Sequence, residues 1–261
     1  MSNIENKSHN SPAIPGMTDE GEKLATEQVQ DDTIRVEKKT VDTSRAGRPT
    51  SYKVEDFAEL TGREEDWRFT PLKRLGGLHT DALTGQGVDI SVSAPDSVSV
   101  ETVNRDDSRI GSAGIPEDRV AANAWSSFSE ATVITVGQED ELDQHIALQI
   151  QGTSMEPTAQ HIVVETKPFS KAVVVLRHAG SAVVSQNVEF KVGDSSSLTV
   201  VSVQEWNDDA IHASAQYAKL GRDARFKHIN ISLGGNLVRV TPSAKFSAPG
   251  AETEMYGLYF V

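Results

Sequence analysis

From Ala131 onward, apolar and polar residues alternate with the period of an extended chain. The stretches ATVITVG, HIALQIQG, HIVVETK, KAVVVLRH, SLTVVSVQ and FKHINISLGG are rich in Val, Ile and Leu and are bounded by turn residues. Such segments read as strands. Upstream, GVDISVSAPDSVSVETV (87–103) alternates in the same way with Pro95 between its halves, which predicts two short strands. PEDRVAANAWSSF (116–128) changes period: Val120, Ala124 and Phe128 share one helical face, with Pro116 and acidic residues at the start. SYKVEDFAELTG (51–62) carries Tyr52, Phe57 and Leu60 near helical spacing, enough for one short element.

The strand-rich part also repeats on a longer scale. With Pro168, Gly193, Gly221 and Gly250 set in register, the repeats are 25, 28 and 29 residues long. Five positions on stand Val173, Leu198, Phe226 and Met255, and eight positions on stand Leu176, Val201, Ile229 and Leu258. Ten positions on come Val203, Ile231 and Phe260, with His178 as the exception. A turn residue followed by an apolar-periodic strand predicts one coil per repeat, because no single repeat encloses a core and a stack of them does. A β-helix or flattened β-solenoid fits this better than a sandwich, which needs no fixed period.

Composition then divides the chain. Residues 1–48 hold few large apolar side chains and many charges, too little to offset ordering entropy, so the segment is predicted to be a disordered tail. Residues 49–130 form a small N-terminal α/β region, and 131–261 the β-helix core domain. The 261 residues carry 38 acidic and 25 basic side chains, a net charge of −13 without a basic stripe, which argues against nucleic acid as a partner. No apolar run approaches the ~20 residues of a membrane span, and the polar N-terminus lacks a signal-peptide core. Cysteine is absent, so disulfides, thiolate metal sites and a cysteine nucleophile cannot arise within this chain. These features predict a cytoplasmic protein.

Candidate chemistry is sparse. TGQG (84–87) lacks the spacing and lysine of a phosphate loop, and neither G-x-S-x-G nor H-E-x-x-H occurs. His9, His79, His145, His161, His178, His212 and His228 form no short-spaced pair and are read as structural or solvated. Asp208 and Asp209 in EWNDDAIH are the best acidic candidates, since β-helical polysaccharide lyases and hydrolases carry carboxylates on their flanks. Adjacent residues of a strand face opposite ways, and a polar turn between coils explains the pair equally simply. No catalytic, cofactor-binding or metal-binding residue is assigned.

One segment is more specific. In TGREEDWRFTPLKRL, Thr61 and Glu64 have capping-box spacing and Thr70-Pro71 makes a second helix start. Trp67, Phe69, Leu72 and Leu75 are predicted to form an apolar face with Trp67 as a packing anchor, leaving Arg68, Lys73 and Arg74 to solvent. GREEDWRFTPLKRL resembles the N-terminal signature of the SufB/SufD family, on the SufD side, in which an acidic pair precedes Trp-Arg/Lys-Tyr/Phe-Thr-Pro-Leu. Glu65, Asp66, Trp67, Arg68, Phe69, Thr70, Pro71 and Leu72 fill those places. The run from Asn187 to Phe260 resembles the family's core domain, so the likeness covers about residues 50–261.

The resemblance implies a right-handed parallel β-helix and a non-catalytic scaffold role in SUF iron–sulfur cluster assembly, with a connection to iron acquisition. It implies a SufB-like partner and a SufC-like ATPase, with the cluster assembled by the complex and no cofactor assigned to this chain. The lack of cysteine favours SufD over SufB, whose relatives are expected to supply thiolate chemistry. Family members continue well beyond Val261, so the chain is expected to be truncated and to lack the C-terminal SufC-binding part and a functional histidine near the SufB interface. It is also expected to be aggregation-prone on its own, since YGLYFV offers no polar cap for a last coil.

Overall fold

Two short strands, β1 (Val88–Ser93) and β2 (Ser99–Asn104), and one helix, α1 (Arg119–Ser127), lead into the repeating part. There the chain passes back and forth through β3 (Glu130–Val136), β4 (Ile146–Gly152), β5 (Pro157–Thr166), β6 (Lys171–Gly180) and β7 (Val183–Val192). It continues through β8 (Ser197–Trp206), β9 (Ile211–Leu220), β10 (Arg225–Ser232), β11 (Leu237–Phe246) and β12 (Glu252–Tyr259). This is a computed structural model, and it describes residues 48–80 and 82–260; the predicted tail lies outside the described residues except for Arg48.

Alternate strands stack into two six-stranded sheets. Sheet A runs β11-β9-β7-β5-β3-β2 and sheet B runs β1-β4-β6-β8-β10-β12. Pairing is parallel from β3 onward, whereas β1 and β2 close the two stacks antiparallel against β4 and β3. The fold is thus a mainly β, two-sheet solenoid of about 5 turns, as the repeat predicts.

The repeat length is right and the sequence register is not. Ala172, Leu198, Phe226 and Thr253 occupy equivalent positions, so Val173 and Met255 do not belong with Leu198 and Phe226. A slip of one residue reverses the face: Ala172 is 2% exposed and Val173 38%. At the corner, Lys167, Gly193, Gly221 and Ser247 are the matching residues. Gly250 instead matches Asp223, as the residue with positive φ. Each corner from sheet A to sheet B has one such residue: Glu139, Phe169, Ser195, Asp223 and Gly250. The N–H groups of the first four donate to the next corner, at Pro168 O, Asp194 O, Arg222 O and Pro249 O. That bond fixes a left-handed backbone at residue types that otherwise avoid it.

In sheet B, burial alternates strictly along β8 (Ser197–Trp206), inward residues buried and outward residues half-exposed. In sheet A, β5, β7 and β9 are buried on both faces along most of their length. The cover on their outer face is the segment before β3. Asp118 caps α1 by accepting from the Ala121 N–H at 2.8 Å, so the helix starts after Pro116 rather than at it. Ser185 and Asn187 on β7 donate to the carbonyls of Val120 and Ala121 at 3.2 and 2.9 Å. The stretch 51–62 forms only a 3-10 turn at Val54–Asp56.

Candidate functional site

The signature segment is a chain of tight turns laid over sheet A. The backbone N–H groups of Thr61 and Gly62 donate to the Glu64 carboxylate at 2.9 and 2.8 Å, and the Thr61 hydroxyl adds a third bond at 2.8 Å. Donation from the Thr61 N–H and these neighbours pulls the Glu64 carboxyl down to about 2. The predicted capping box therefore closes a loop, and only a 3-10 turn, Glu65–Trp67, follows it. A second turn, Leu72–Arg74, starts after Pro71, and the Arg74 guanidinium anchors it to the Asn236 side chain at 3.0 Å.

These turns send the aromatic residues in opposite directions. Trp67 is 3% exposed and packs in a cluster with Leu75, Leu78, Val120, Val183 and Ile211. The Arg239 guanidinium, from β11, lies 4.2 Å from its ring centroid. Phe69 does not join the predicted apolar face: it is 88% exposed, with the Arg68 guanidinium over its ring at 5.3 Å. Leu75 is buried and Leu72 half-buried, while Glu65, Asp66, Arg68 and Pro71 are exposed and Thr70 is partly so. Asp66 pairs with Arg48.

Inside the solenoid, the end near the corners from sheet B to sheet A is polar. The Gln186 side chain donates to Gln160 Oε1 and accepts from Ser214 Oγ at 3.1 Å, with His178 Nε2 at 3.3 Å. Gln204 accepts from the Trp206 indole N–H at 2.9 Å and lies 2.9 Å from His212 Nδ1. One coil further, His228 Nε2 meets Gln216 Oε1 at 2.7 Å, and Gln216 donates to Ser214 at 3.2 Å. Burial pushes the His178 and His228 imidazoles down to about 4, and that of His212 well below its ordinary value. All three are neutral near pH 7, so each ring can give one hydrogen bond and take another. His212 Nε2, His228 Nδ1 and Asn230 Oδ1 are buried without a partner.

This seam ends at Asn230 and Ser232, which line a cavity of about 670 Å³ together with Phe69, Thr70 and Pro71. The signature and the polar interior thus meet at one place. Sequence reading missed this, because the repeat sorts residues by face and treats inward positions as apolar. His178 and His212, 34 positions apart in sequence, lie against each other with ring centroids 4.8 Å apart and planes tilted by 36°. Among the described residues no group of three His, Cys, Asp or Glu side chains is placed to hold a metal. The seam offers neutral hydrogen bonding rather than a nucleophile or a charged acid–base pair.

The acidic candidates do not converge. Asp209 accepts from the Ser181 hydroxyl at 2.7 Å in the preceding corner, and its neighbour Asp208 lines the cavity. That geometry does not favour a glycan-cleaving pair. A carboxylate that sequence reading did not single out is more tightly held: Glu189, fully buried, accepts from the N–H groups of Gly111 and Ala113 at 2.7 and 2.8 Å. His161 Nε2 lies 2.9 Å from the same carboxylate. No helix among the described residues is long and apolar enough to cross a membrane.

Residues 148–261 match the family model described as "SUF system FeS cluster assembly, SufBD core domain". An iron–sulfur cluster assembly SufBD family protein of Mycobacterium leprae is 45% identical over 212 residues, which is 80% of this chain and 54% of the relative. Proteins of the same description from Mycobacterium bovis and Mycobacterium tuberculosis are 40% identical over 212 residues, covering 80% of this chain and 53% of each relative. The chain spans about half the length of the curated relatives it matches.

Proposed function

The chain belongs to the SufB/SufD family, and from that membership we propose that it serves iron–sulfur cluster assembly as a SufD-type, non-catalytic scaffold subunit. The observation that carries this reading is the lack of any cysteine in 261 residues, in a chain whose relatives are named for iron–sulfur cluster assembly. Clusters are held chiefly by thiolates, so within such a complex these 261 residues do not supply the thiolate ligands. What these residues contribute is a rigid stack of strands.

On this reading the solenoid pairs with a SufB-like subunit in the cytoplasm, in an assembly that includes a SufC-like ATPase. The test is co-expression of the tagged chain with SufB-like and SufC-like proteins, followed by affinity capture. Recovery of the SufB-like subunit in a defined ratio is expected. Capture of neither protein, from a chain whose circular dichroism shows folded β structure, refutes the scaffold reading.

A further inference from the structure

On the outward face of sheet A, one row of side chains reads Glu165, Lys191, Lys219 and Lys245 across four strands. The first two residues are matched. Burial pushes the Glu165 carboxyl up, but Lys167 and Lys191, each at 2.8 Å, outweigh it and hold the group below its ordinary range. The other two are not matched: among the described residues, neither Lys219 nor Lys245 has an ion-pair partner.

Neighbouring strands stand about 4.8 Å apart, so these two ammonium groups start directly opposite one another, an arrangement that costs stability. The chain has 38 acidic residues against 25 basic ones, yet among the described residues no carboxylate forms an ion pair with either lysine. The two lysines border a groove of about 440 Å³, between sheet A and the stretch 111–115.

We propose that this groove binds a phosphate group, free or as a monoester, between the side chains of Lys219 and Lys245, register partners on β9 and β11. A phosphate near neutral pH carries between one and two negative charges, which offset the two lysines and relieve their mutual repulsion. Ammonium groups act as compact point charges and suit tetrahedral oxygens without the planar fork that favours carboxylates. Glu117 lines the groove as well, which limits the occupant to one compact anion instead of an extended acidic chain.

The test uses the full chain, with inorganic phosphate titrated against chloride at constant ionic strength and thermal unfolding followed by circular dichroism. Phosphate is expected to raise the melting temperature of the wild type. Lys219→Gln or Lys245→Gln should weaken binding about tenfold each, and the double variant should abolish the shift. In the absence of phosphate, Lys219→Gln should melt above the wild type, because the repulsion is gone. Lys227→Gln, on sheet B and paired with Glu254, serves as a control and should leave the phosphate effect intact. A parallel titration with a phosphoserine peptide separates the sources: tighter binding than free phosphate identifies a monoester, equal binding the free anion. No shift in the wild type, or a shift that survives the double variant, overturns the proposal.

Discussion

Truncating Trp67 to alanine tests whether the signature segment holds the molecule together. An indole of this burial removes about 150–250 Å² from water. At ~25 cal/mol per Å² that amounts to roughly 4–6 kcal/mol, an upper bound because unfolded chains already bury some surface. Large-to-small changes at buried aromatics cost about 3–5 kcal/mol, and loss of the Arg239 guanidinium contact adds about 1 kcal/mol. For a domain of this size each kcal/mol moves the midpoint by about 2–4 °C, so a total of about 4–6 kcal/mol puts Trp67→Ala about 8–24 °C below the wild type. Phe69→Ala, two residues away in the same motif, should change stability by less than about 0.5 kcal/mol because its ring is in solvent. Thermal and urea unfolding of the two variants side by side make the measurement. Equal effects, or a Trp67→Ala cost below about 1 kcal/mol, would refute the anchoring role.

Three further outcomes follow from other parts of the molecule. Glu189→Gln should cost about 2–4 kcal/mol, since an amide cannot accept from two backbone N–H groups and His161 together; amide exchange should speed up at Gly111 and Ala113. His178 and His228 should stay neutral down to about pH 5 by imidazole NMR. Their folded values lie below the unfolded value of about 6.5, so their contribution is fully present above pH 6.5 and is lost as pH falls from there toward 4; titration near 6.5 would contradict the burial argument. Gly114→Ala should destabilise by about 1–3 kcal/mol, because the new Cβ would stand 2.4 Å from the Tyr217 side chain.

Much of this architecture was legible in the sequence, and its gaps have physical causes. Strand alternation and a repeat of 25–29 residues revealed the solenoid, because each coil must bury its own inward row. Register at the two ends escaped, since Val173 is as apolar as Ala172 and only pairing partners reveal the slip. Trp67 was recognisable as an anchor, whereas Phe69 was not recognisable as exposed, because 3-10 turns replace the helix that would have aligned them. The polar seam was hidden for a different reason. Gln186 meets His178 and Ser214, and Gln204 meets His212, and such partnerships between residues 8 to 28 positions apart leave no local pattern. Glu189 was equally invisible, because its backbone donors lie 76 and 78 residues earlier.

The cluster around Trp67 draws Val183 from β7, Ile211 and Ala213 from β9, and Leu237 from β11, while Arg239 of β11 covers the ring. A stack in which each coil touches only its neighbours tends to fray from its ends like a loosely wound spring. A crossbar bound to three successive coils removes that freedom, since none of the three can open without releasing the others. Hydrogen exchange in β7, β9 and β11 should therefore proceed at one common rate, and after Trp67→Ala it should separate into a gradient along the axis. The signature motif, on this view, turns a one-dimensional array into a single cooperative unit.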